Sequence, residues 1–196
     1  MYDSKDIGVI TSIEPKKAKS VVLTFDDGPS RVLPEILDVL REEKVRAVFF
    51  WQTRLLYSKR PWTRVLEEGH LIGTHSCKHR NLVKLSFNDQ FQDLYSSILK
   101  LEDVTGIEVK YFRPPFGQYN QDTLLAAEKL HLTPVMWKIA SMDWELKQDP
   151  NRIITNVVEH LEDGAIILLH ELPQTLEVLK ELIREIRSRG FEFSLL

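Results

Sequence analysis

The stretch SVVLTFDDGPS, residues 20–30, decides the fold of this chain. Its apolar first half predicts a buried strand. Two adjacent carboxylates, Asp26 and Asp27, end this strand, and Gly28-Pro29 then turns the chain. Because two like charges at the end of a buried strand are costly without a positive partner, the stretch predicts that a cation lies beside them.

Outward from this strand, short apolar runs alternate with amphipathic stretches. The predicted strands cover residues 21–25, 46–50, 71–74, 110–113, 134–139, 165–169 and 191–195. The predicted helices cover residues 33–43, 63–68, 89–104, 122–130, 151–161 and 176–189, the last closed by Gly190. This β/α alternation predicts a parallel sheet, either open and doubly wound or closed as a barrel. We expect one domain over residues 20–196, after a lead-in of residues 1–19.

Composition excludes several functional classes. The chain has 196 residues, 43% of them hydrophobic, and a net charge of −3, which gives no electrostatic reason to expect a nucleic-acid partner. No apolar run approaches the length of a membrane span, and the acidic start does not resemble a signal peptide. No glycine-rich phosphate loop occurs, which argues against nucleotide binding. Cys77 is the single cysteine, so no intrachain disulfide can form.

The candidate reactive residues all follow predicted strands. They are Asp26, Asp27, His75, His79, Arg113, Asp143 and His170. In parallel β/α folds the carboxyl ends of the strands meet at one face, where these folds build their sites. We therefore expect these side chains to converge on one site.

Two of these residues, His75 and His79, predict a metal site. They are four residues apart, so on a helical turn both imidazoles would face one ion. One carboxylate would complete a two-histidine set that holds zinc or iron(II), and the parallel β/α pattern favours zinc. Cys77 between them could serve as a soft ligand, but we interpret it as a buried, inert thiol. The residues thus predict a metal-dependent hydrolase in which Arg113 keeps a free aspartate ionised and His170 donates a proton.

Five motifs, in chain order, resemble those of the polysaccharide deacetylase family, the family 4 carbohydrate esterases with the NodB homology domain. They are T-F-D-D-G at residues 24–28, H-S-x-x-H at 75–79, R-P-P-F-G at 113–117, D-W at 143–144 and L-L-H at 168–170. The resemblance extends from about residue 20 to residue 196. It implies a distorted (β/α) barrel with fewer than eight strands, in agreement with about seven predicted parallel strands.

The resemblance implies a metal site and a pocket for the acetyl group. Asp27, His75 and His79 would bind the metal, normally Zn²⁺, with other divalent ions such as Co²⁺ as substitutes. Leu168 and Trp144 would line the pocket that takes the acetyl methyl group. These roles come from the family pattern, since residue chemistry alone leaves open which of the two aspartates binds the metal.

The resemblance also implies how protons move. Asp26 would be the general base, kept ionised by Arg113. His170 would be the general acid, oriented by Asp143. The backbone N–H of Phe116 would help to stabilise the oxyanion.

The sequence departs from the family pattern at four positions. Ala140 stands where many members have aspartate, Phe116 replaces a common tyrosine, and Glu171 stands where many have aspartate. Trp51 lies where relatives often carry small residues, which predicts a reshaped substrate groove. Because Asp143, the residue next to Trp144, is kept, we expect activity to survive these changes.

The implied reaction is removal of acetyl groups from N-acetylglucosamine units of a polysaccharide such as peptidoglycan or chitin, with release of acetate. Three alternatives stay open: O-deacetylation of acetylated xylan, a catalytically silent carbohydrate-binding protein on the same scaffold, and a metal-free sugar-processing barrel. Members of the family usually act outside the cytoplasm or at the cell wall. The expected partner is a polysaccharide or oligosaccharide.

Overall fold

A computed structural model describes residues 6, 8–14, 18–57 and 62–196. The strands are β1 (Ser20–Gly28), β2 (Val48–Trp51), β3 (Leu71–Thr74), β4 (Tyr111–Phe112), β5 (Thr133–Pro134), β6 (Ile139–Ala140), β7 (Ile166–His170) and β8 (Glu192–Phe193). The helices are α1 (Leu33–Glu42), α2 (Trp62–Glu67), α3 (Phe87–Thr105), α4 (Gln121–Lys129), α5 (Asn151–Val158) and α6 (Pro173–Ser188). The predicted alternation of strands and helices is therefore confirmed.

The strands form a curled parallel sheet in which the long strand β1 pairs with β2, β7 and β8. Seven strands follow the order β5-β4-β3-β2-β1-β7-β6, and the short β8 pairs with Ser20 and Val21 at the beginning of β1. The predicted distorted (β/α) barrel of about seven parallel strands is confirmed, and the fold is not the open doubly wound sheet.

The prediction of one strand over residues 134–139 is wrong, because the chain changes neighbours within this run. β5 pairs with β4, whereas β6 pairs with β7. Between them, the Val135 N–H donates to the Phe112 carbonyl at 2.8 Å and the Lys138 N–H donates to the Ile166 carbonyl at 3.0 Å. The run therefore passes from one edge of the curled sheet to the other and closes the barrel.

Part of the predicted lead-in lies against this closure. The Ile10 N–H donates to the Pro134 carbonyl at 2.9 Å, and the Met136 N–H donates back to the Ile10 carbonyl at 2.7 Å. The Ile13 N–H donates to the Gly164 carbonyl at 2.9 Å. This segment thus runs between the end of β5 and the start of β7 and is hydrogen-bonded to both regions.

Alternation along β1 and β2 creates two layers of packing. Phe25 and Phe49 belong to the large cluster between sheet and helices, with ring centroids 5.2 Å apart. Val22 and Phe50 belong to a separate buried cluster on the opposite face, inside the barrel. Because side chains alternate with a period of two, Asp26 shares the face of Val22 and points into the barrel.

The helices begin and end close to their predicted positions. α6 starts at Pro173, three residues earlier than predicted, since proline at the first helical positions removes an N–H that has no partner there. Gly190, with φ +81°, follows the end of α6 and takes the left-handed conformation that commonly closes a helix. Among the described residues, no helix is both long and apolar enough to cross a membrane.

Candidate active site and metal centre

The candidate residues converge at the carboxyl edge of the sheet, as predicted. They surround an open pocket of about 380 Å³. Its lining residues are Asp26, Asp27, His75, His79, Pro114, Phe116, Gly117, Trp137, Trp144, Leu168 and His170. Arg113 and Asp143 lie behind this lining, because both are fully buried.

Arg113 forms a buried ion pair with Asp26. Its Nη1 donates to Asp26 Oδ1 at 2.8 Å and to Thr24 Oγ1 at 2.7 Å, while Nε and Nη2 donate to the carbonyls of Val135 and Met136. Burial lowers the pKa of Arg113, and the charge of Asp26 opposes this shift. A guanidinium keeps its proton in proteins, so a fixed positive charge lies beside the first aspartate.

Asp27, His75 and His79 form a compact group that could hold a metal ion. Their candidate ligand atoms all lie within 4.8 Å of one another. Asp27 Oδ1 is 3.7 Å from His75 Nε2 and 3.3 Å from His79 Nε2. Burial raises the pKa of Asp27, but the neighbouring His75, His170 and His79 outweigh burial and lower it. One carboxylate and two imidazoles fit a divalent metal such as zinc.

A backbone carbonyl orients the first imidazole of this group. His75 Nδ1 lies 2.7 Å from the Arg113 carbonyl oxygen. Because a carbonyl only accepts, Nδ1 carries the proton and Nε2 presents its lone pair toward Asp27. Arg113 therefore contacts the Asp26 carboxylate with its side chain and the His75 imidazole with its backbone carbonyl.

The prediction that His75 and His79 share a helical turn is wrong. No helix covers them, and Ser76 and His79 have φ values of 66° and 54°. The His79 N–H donates to Ser76 Oγ at 3.0 Å, so a tight loop brings the two rings to a centroid distance of 4.8 Å. Burial, together with the nearby His75, lowers the pKa of His79, which favours the neutral ring that a metal requires.

Asp143 holds His170 on the opposite side of the pocket. Asp143 Oδ1 lies 2.7 Å from His170 Nδ1, and Oδ2 accepts from the His170 N–H at 2.7 Å and from Thr175 Oγ1 at 2.6 Å. Burial lowers the pKa of His170, but the hydrogen bond and charge of Asp143, helped by Asp26 and Asp27, outweigh burial and raise it. The imidazole is therefore oriented with Nε2 away from Asp143, and its protonated form is stabilised relative to that of a free imidazole.

The remaining predicted site residues form the apolar wall of the pocket. Phe116 has φ 60°, is 59% exposed and lies against His79 with ring centroids 4.6 Å apart. Trp144 is 44% exposed and contacts His170 edge-on at 5.2 Å, whereas Leu168 on β7 is 3% exposed. Trp137 also lines the pocket, and it was not among the predicted site residues.

The prediction that Trp51 reshapes the substrate groove is wrong, because Trp51 is fully buried in the layer facing the helices. Its indole Nε1 donates to Glu171 Oε1 at 2.8 Å, and the other oxygen of Glu171 accepts from the Ser30 N–H at 2.7 Å. A Cβ on Gly28 would lie 1.8 Å from Glu171 Oε1. The two departures from the family pattern therefore form one hydrogen bond, which passes over a glycine.

Sequence reasoning missed Gln52, which donates from Nε2 to Asp27 Oδ1 at 2.6 Å. Gln52 directly follows β2, and its side chain is almost completely buried. Its position at a strand end was the available signal, since the same position marked the other candidates.

The fold and the site together define a curled (β/α) barrel with a candidate metal centre at the carboxyl ends of its strands. Residues 13–135 match the family described as polysaccharide deacetylase. Because this match covers more than half of the chain, the chain belongs to the polysaccharide deacetylase family.

Individual relatives agree with this assignment. The chain is 34% identical over 185 residues to the peptidoglycan-N-acetylglucosamine deacetylase PgdA of Listeria monocytogenes, a match that covers 91% of this chain and 38% of that protein. It is 30% identical over 190 residues to the chitooligosaccharide deacetylase of Azorhizobium caulinodans, covering 88% and 90%. The chain thus spans well under half of the Listeria protein and most of the Azorhizobium protein.

A solved structure shares the fold at high similarity. A CE4 family pseudoenzyme from Bacillus anthracis superimposes with a TM-score of 0.85 and 26% sequence identity, covering 94% of this chain and 66% of that chain. The same scaffold therefore occurs both in proteins named as deacetylases and in a protein named as a pseudoenzyme.

Proposed function

We propose that this chain is a metal-dependent deacetylase that removes acetyl groups from N-acetylglucosamine units of a polysaccharide. One observation carries the proposal: a candidate metal group, an arginine-paired carboxylate and an aspartate-paired histidine face the same pocket. We assign the catalytic domain to residues 20–196, with part of the preceding segment bound against the barrel closure.

Asp27, His75 and His79 would hold the metal. Zn²⁺ is the preferred ion for these donors, with Co²⁺ as a functional substitute. When bound, the ion would supply Lewis acidity to the acetamide carbonyl and to the attacking water.

Asp26 would act as the general base. Arg113 occupies its Oδ1, so Oδ2 is the oxygen left for proton transfer, and Oδ2 lies 3.7 Å from His75 Nε2. Water placed beside the metal group would therefore be within reach of Oδ2, which takes its proton as the water attacks the acetyl carbon. Asp26 is only 2% exposed, which limits access to solvent other than through the pocket.

His170 would act as the general acid. Its Nδ1 proton is held by Asp143, so Nε2 is the atom that faces the pocket, 4.0 Å from Asp27 Oδ2. A proton given from Nε2 to the departing nitrogen completes cleavage of the carbon–nitrogen bond and releases acetate and a glucosamine unit. The proton taken up by Asp26 returns to His170 or to solvent to restore the starting state.

The remaining residues would bind the acetyl group. Leu168, Trp144 and Trp137 supply an apolar wall for a methyl group. The backbone N–H of Phe116, in a loop stiffened by two prolines, would donate to the oxyanion. An apolar wall of this kind favours an acetyl methyl group over a charged acyl group.

The names of the two relatives support peptidoglycan and chitin-type oligosaccharides as substrates. O-deacetylation of acetylated xylan would use the same residues, so it remains the alternative substrate class. The Bacillus anthracis pseudoenzyme is the reason to keep a catalytically silent carbohydrate-binding protein as a second candidate function.

The decisive experiment measures acetate release from N-acetylglucosamine oligomers, peptidoglycan and acetylxylan, with Zn²⁺, with Co²⁺ and with chelator. We expect acetate from at least one N-acetylated substrate, and loss of that activity on chelation. His79→Gln should abolish acetate release. His160→Gln, which changes an exposed histidine just after α5, should leave acetate release unchanged.

Each alternative gives a different result. Acetate from acetylxylan alone would favour the O-deacetylase. Binding of glycans with no acetate release would favour the silent protein. Absence of metal from active, purified protein would favour a metal-free barrel.

A further inference from the structure

We propose that Gln52 is a positioning residue of the metal site, and that it orients Asp27 through a hydrogen-bond relay that begins at Arg54. This inference rests on the proposed function, because it assigns Asp27 to a metal ion. Gln52 matches none of the five family motifs, and it lies directly after β2.

The relay has a single direction. Gln52 Nε2 lies 2.6 Å from Asp27 Oδ1, and Arg54 Nε lies 2.9 Å from Gln52 Oε1. An arginine can only donate and a carboxylate can only accept. The amide of Gln52 must therefore turn its oxygen to Arg54 and its NH₂ group to Asp27, so the usual ambiguity of an amide side chain does not arise.

The backbone around Gln52 is held at both sides of the site. The Gln52 N–H donates to the Gly28 carbonyl at 2.9 Å, which ties it to the end of β1. The next residue, Thr53, donates from its N–H to the Ser76 carbonyl at 3.2 Å, in the loop that carries the two histidines. Gln52 is 5% exposed, so its side chain has little freedom to leave this position.

The carboxylate of Asp27 is partly exposed, so a hydrogen-bond partner matters for its orientation. The φ of 69° at Asp27 lies in the left-handed region, which aspartate tolerates better than most residues, and the side chain is 38% exposed. Oδ1, the oxygen that Gln52 contacts, is also the oxygen nearest to His75 Nε2 and His79 Nε2. The hydrogen bond therefore selects the rotamer that presents the carboxylate to both imidazoles.

Hydrogen bonds to a metal-binding carboxylate affect the affinity for the metal as well as the orientation of the carboxylate. A positive charge at the far end of the relay polarises the amide and strengthens its bond to Asp27. Loss of such an outer partner costs about 10- to 100-fold in metal affinity or activity in metalloproteins. We expect the same range here.

The test compares Gln52→Met, which keeps the length and removes the donor, with Gln92→Met, which changes an exposed glutamine on α3. Zn²⁺ and Co²⁺ dissociation constants are measured on the full chain by competition with a chromophoric chelator. Gln52→Met should bind both ions about 10- to 100-fold more weakly, and Gln92→Met should match the wild type. The visible absorption spectrum of the Co²⁺ protein should change only in Gln52→Met.

Unfolding midpoints of the metal-free proteins show whether each variant folds, and Gln52→Leu replaces Gln52→Met if methionine disturbs packing. Metal affinity within twofold of wild type in a folded Gln52 variant would overturn the inference. A wild-type protein that binds metal but releases no acetate would overturn only the proposed function, since the affinity comparison still applies. A wild-type protein that binds neither ion would overturn both.

Discussion

His170 at the carboxyl edge of the sheet and His70 at the amino edge have pKa values that are shifted in opposite directions. At the carboxyl edge, charged neighbours raise the pKa of His170 despite its burial. At the amino edge, His70 precedes β3, and burial lowers its pKa to about 4. The charge of Glu68 opposes this shift, and Arg46 and Arg64 add smaller contributions to it.

The contacts of His70 explain this difference. Its Nδ1 accepts from the Ala47 N–H at 3.0 Å, which places the ring proton on Nε2. Within the described residues, Nε2 has no hydrogen-bond partner, and Glu68 Oε2 lies 3.9 Å away. Asp143 thus stabilises a charged His170 where the proposed chemistry needs it, whereas His70 at the amino edge is a neutral packing residue.

The largest effect should come from Arg113, because this residue belongs to the candidate site and also forms a buried ion pair that supports the fold. Arg113→Met leaves Asp26 charged and buried, so we expect a loss of about 3–5 kcal/mol in the free energy of unfolding, together with loss of acetate release. Urea denaturation and the acetate assay measure the two effects. Asp26→Asn combined with Arg113→Met should recover part of the stability and none of the activity. An Arg113→Met protein as stable as wild type would show that the ion pair has no structural role.

His170 should separate activity from stability. His170→Gln removes the proposed general acid, so acetate release should fall about 10²- to 10⁴-fold. Thr175 Oγ1 still donates to Asp143, so the free energy of unfolding should change by no more than about 1 kcal/mol. Steady-state kinetics and urea denaturation, with His160→Gln as control, provide the measurement. Retention of full activity would remove His170 from the mechanism.

The smallest effect concerns His70 and stability at acidic pH. In the unfolded chain His70 binds a proton near pH 6.5, whereas in the folded chain it does so only near pH 4. The contribution of buried, neutral His70 to the free energy of unfolding is therefore fully present above pH 6.5 and decreases as the pH falls toward 4. The shift corresponds to at most about 3 kcal/mol. His70→Asn, which keeps an acceptor for the Ala47 N–H, should reduce this pH dependence, as measured by urea denaturation between pH 7 and pH 4. Equal pH dependence in both proteins would contradict the lowered pKa.

Much of the site could be predicted because strand ends and residue types are local properties. An apolar run that ends in Asp26 and Asp27 indicates a buried strand and a polar terminus without any tertiary information. The carboxyl ends of parallel strands share one edge, so the convergence of these aspartates with His75, Arg113 and His170 followed from the alternation alone. The family match then agreed with motifs that the sequence already displayed.

Errors occurred where the outcome depended on neighbours that the sequence does not name. Trp51 faces the helices because of its parity on β2, which depends on where that strand begins. Residues 134–139 form two strands because they pair at different edges of the sheet. His75 and His79 meet through left-handed backbone and a serine contact, and their spacing suits a helical turn equally well.

The sequence by itself determined the β/α order, the charged strand ends and the residue types available for a metal and for proton transfer, because each depends on consecutive residues. Only the tertiary structure decided which groups share a hydrogen bond. Arg113 reaches Asp26 across 87 positions of the chain, and Asp143 reaches His170 across 27. Asp26 and Asp27 have different neighbours for the same reason. β-Strand alternation turns Asp26 into the barrel toward Arg113, whereas Asp27, in left-handed backbone, faces the two histidines and Gln52.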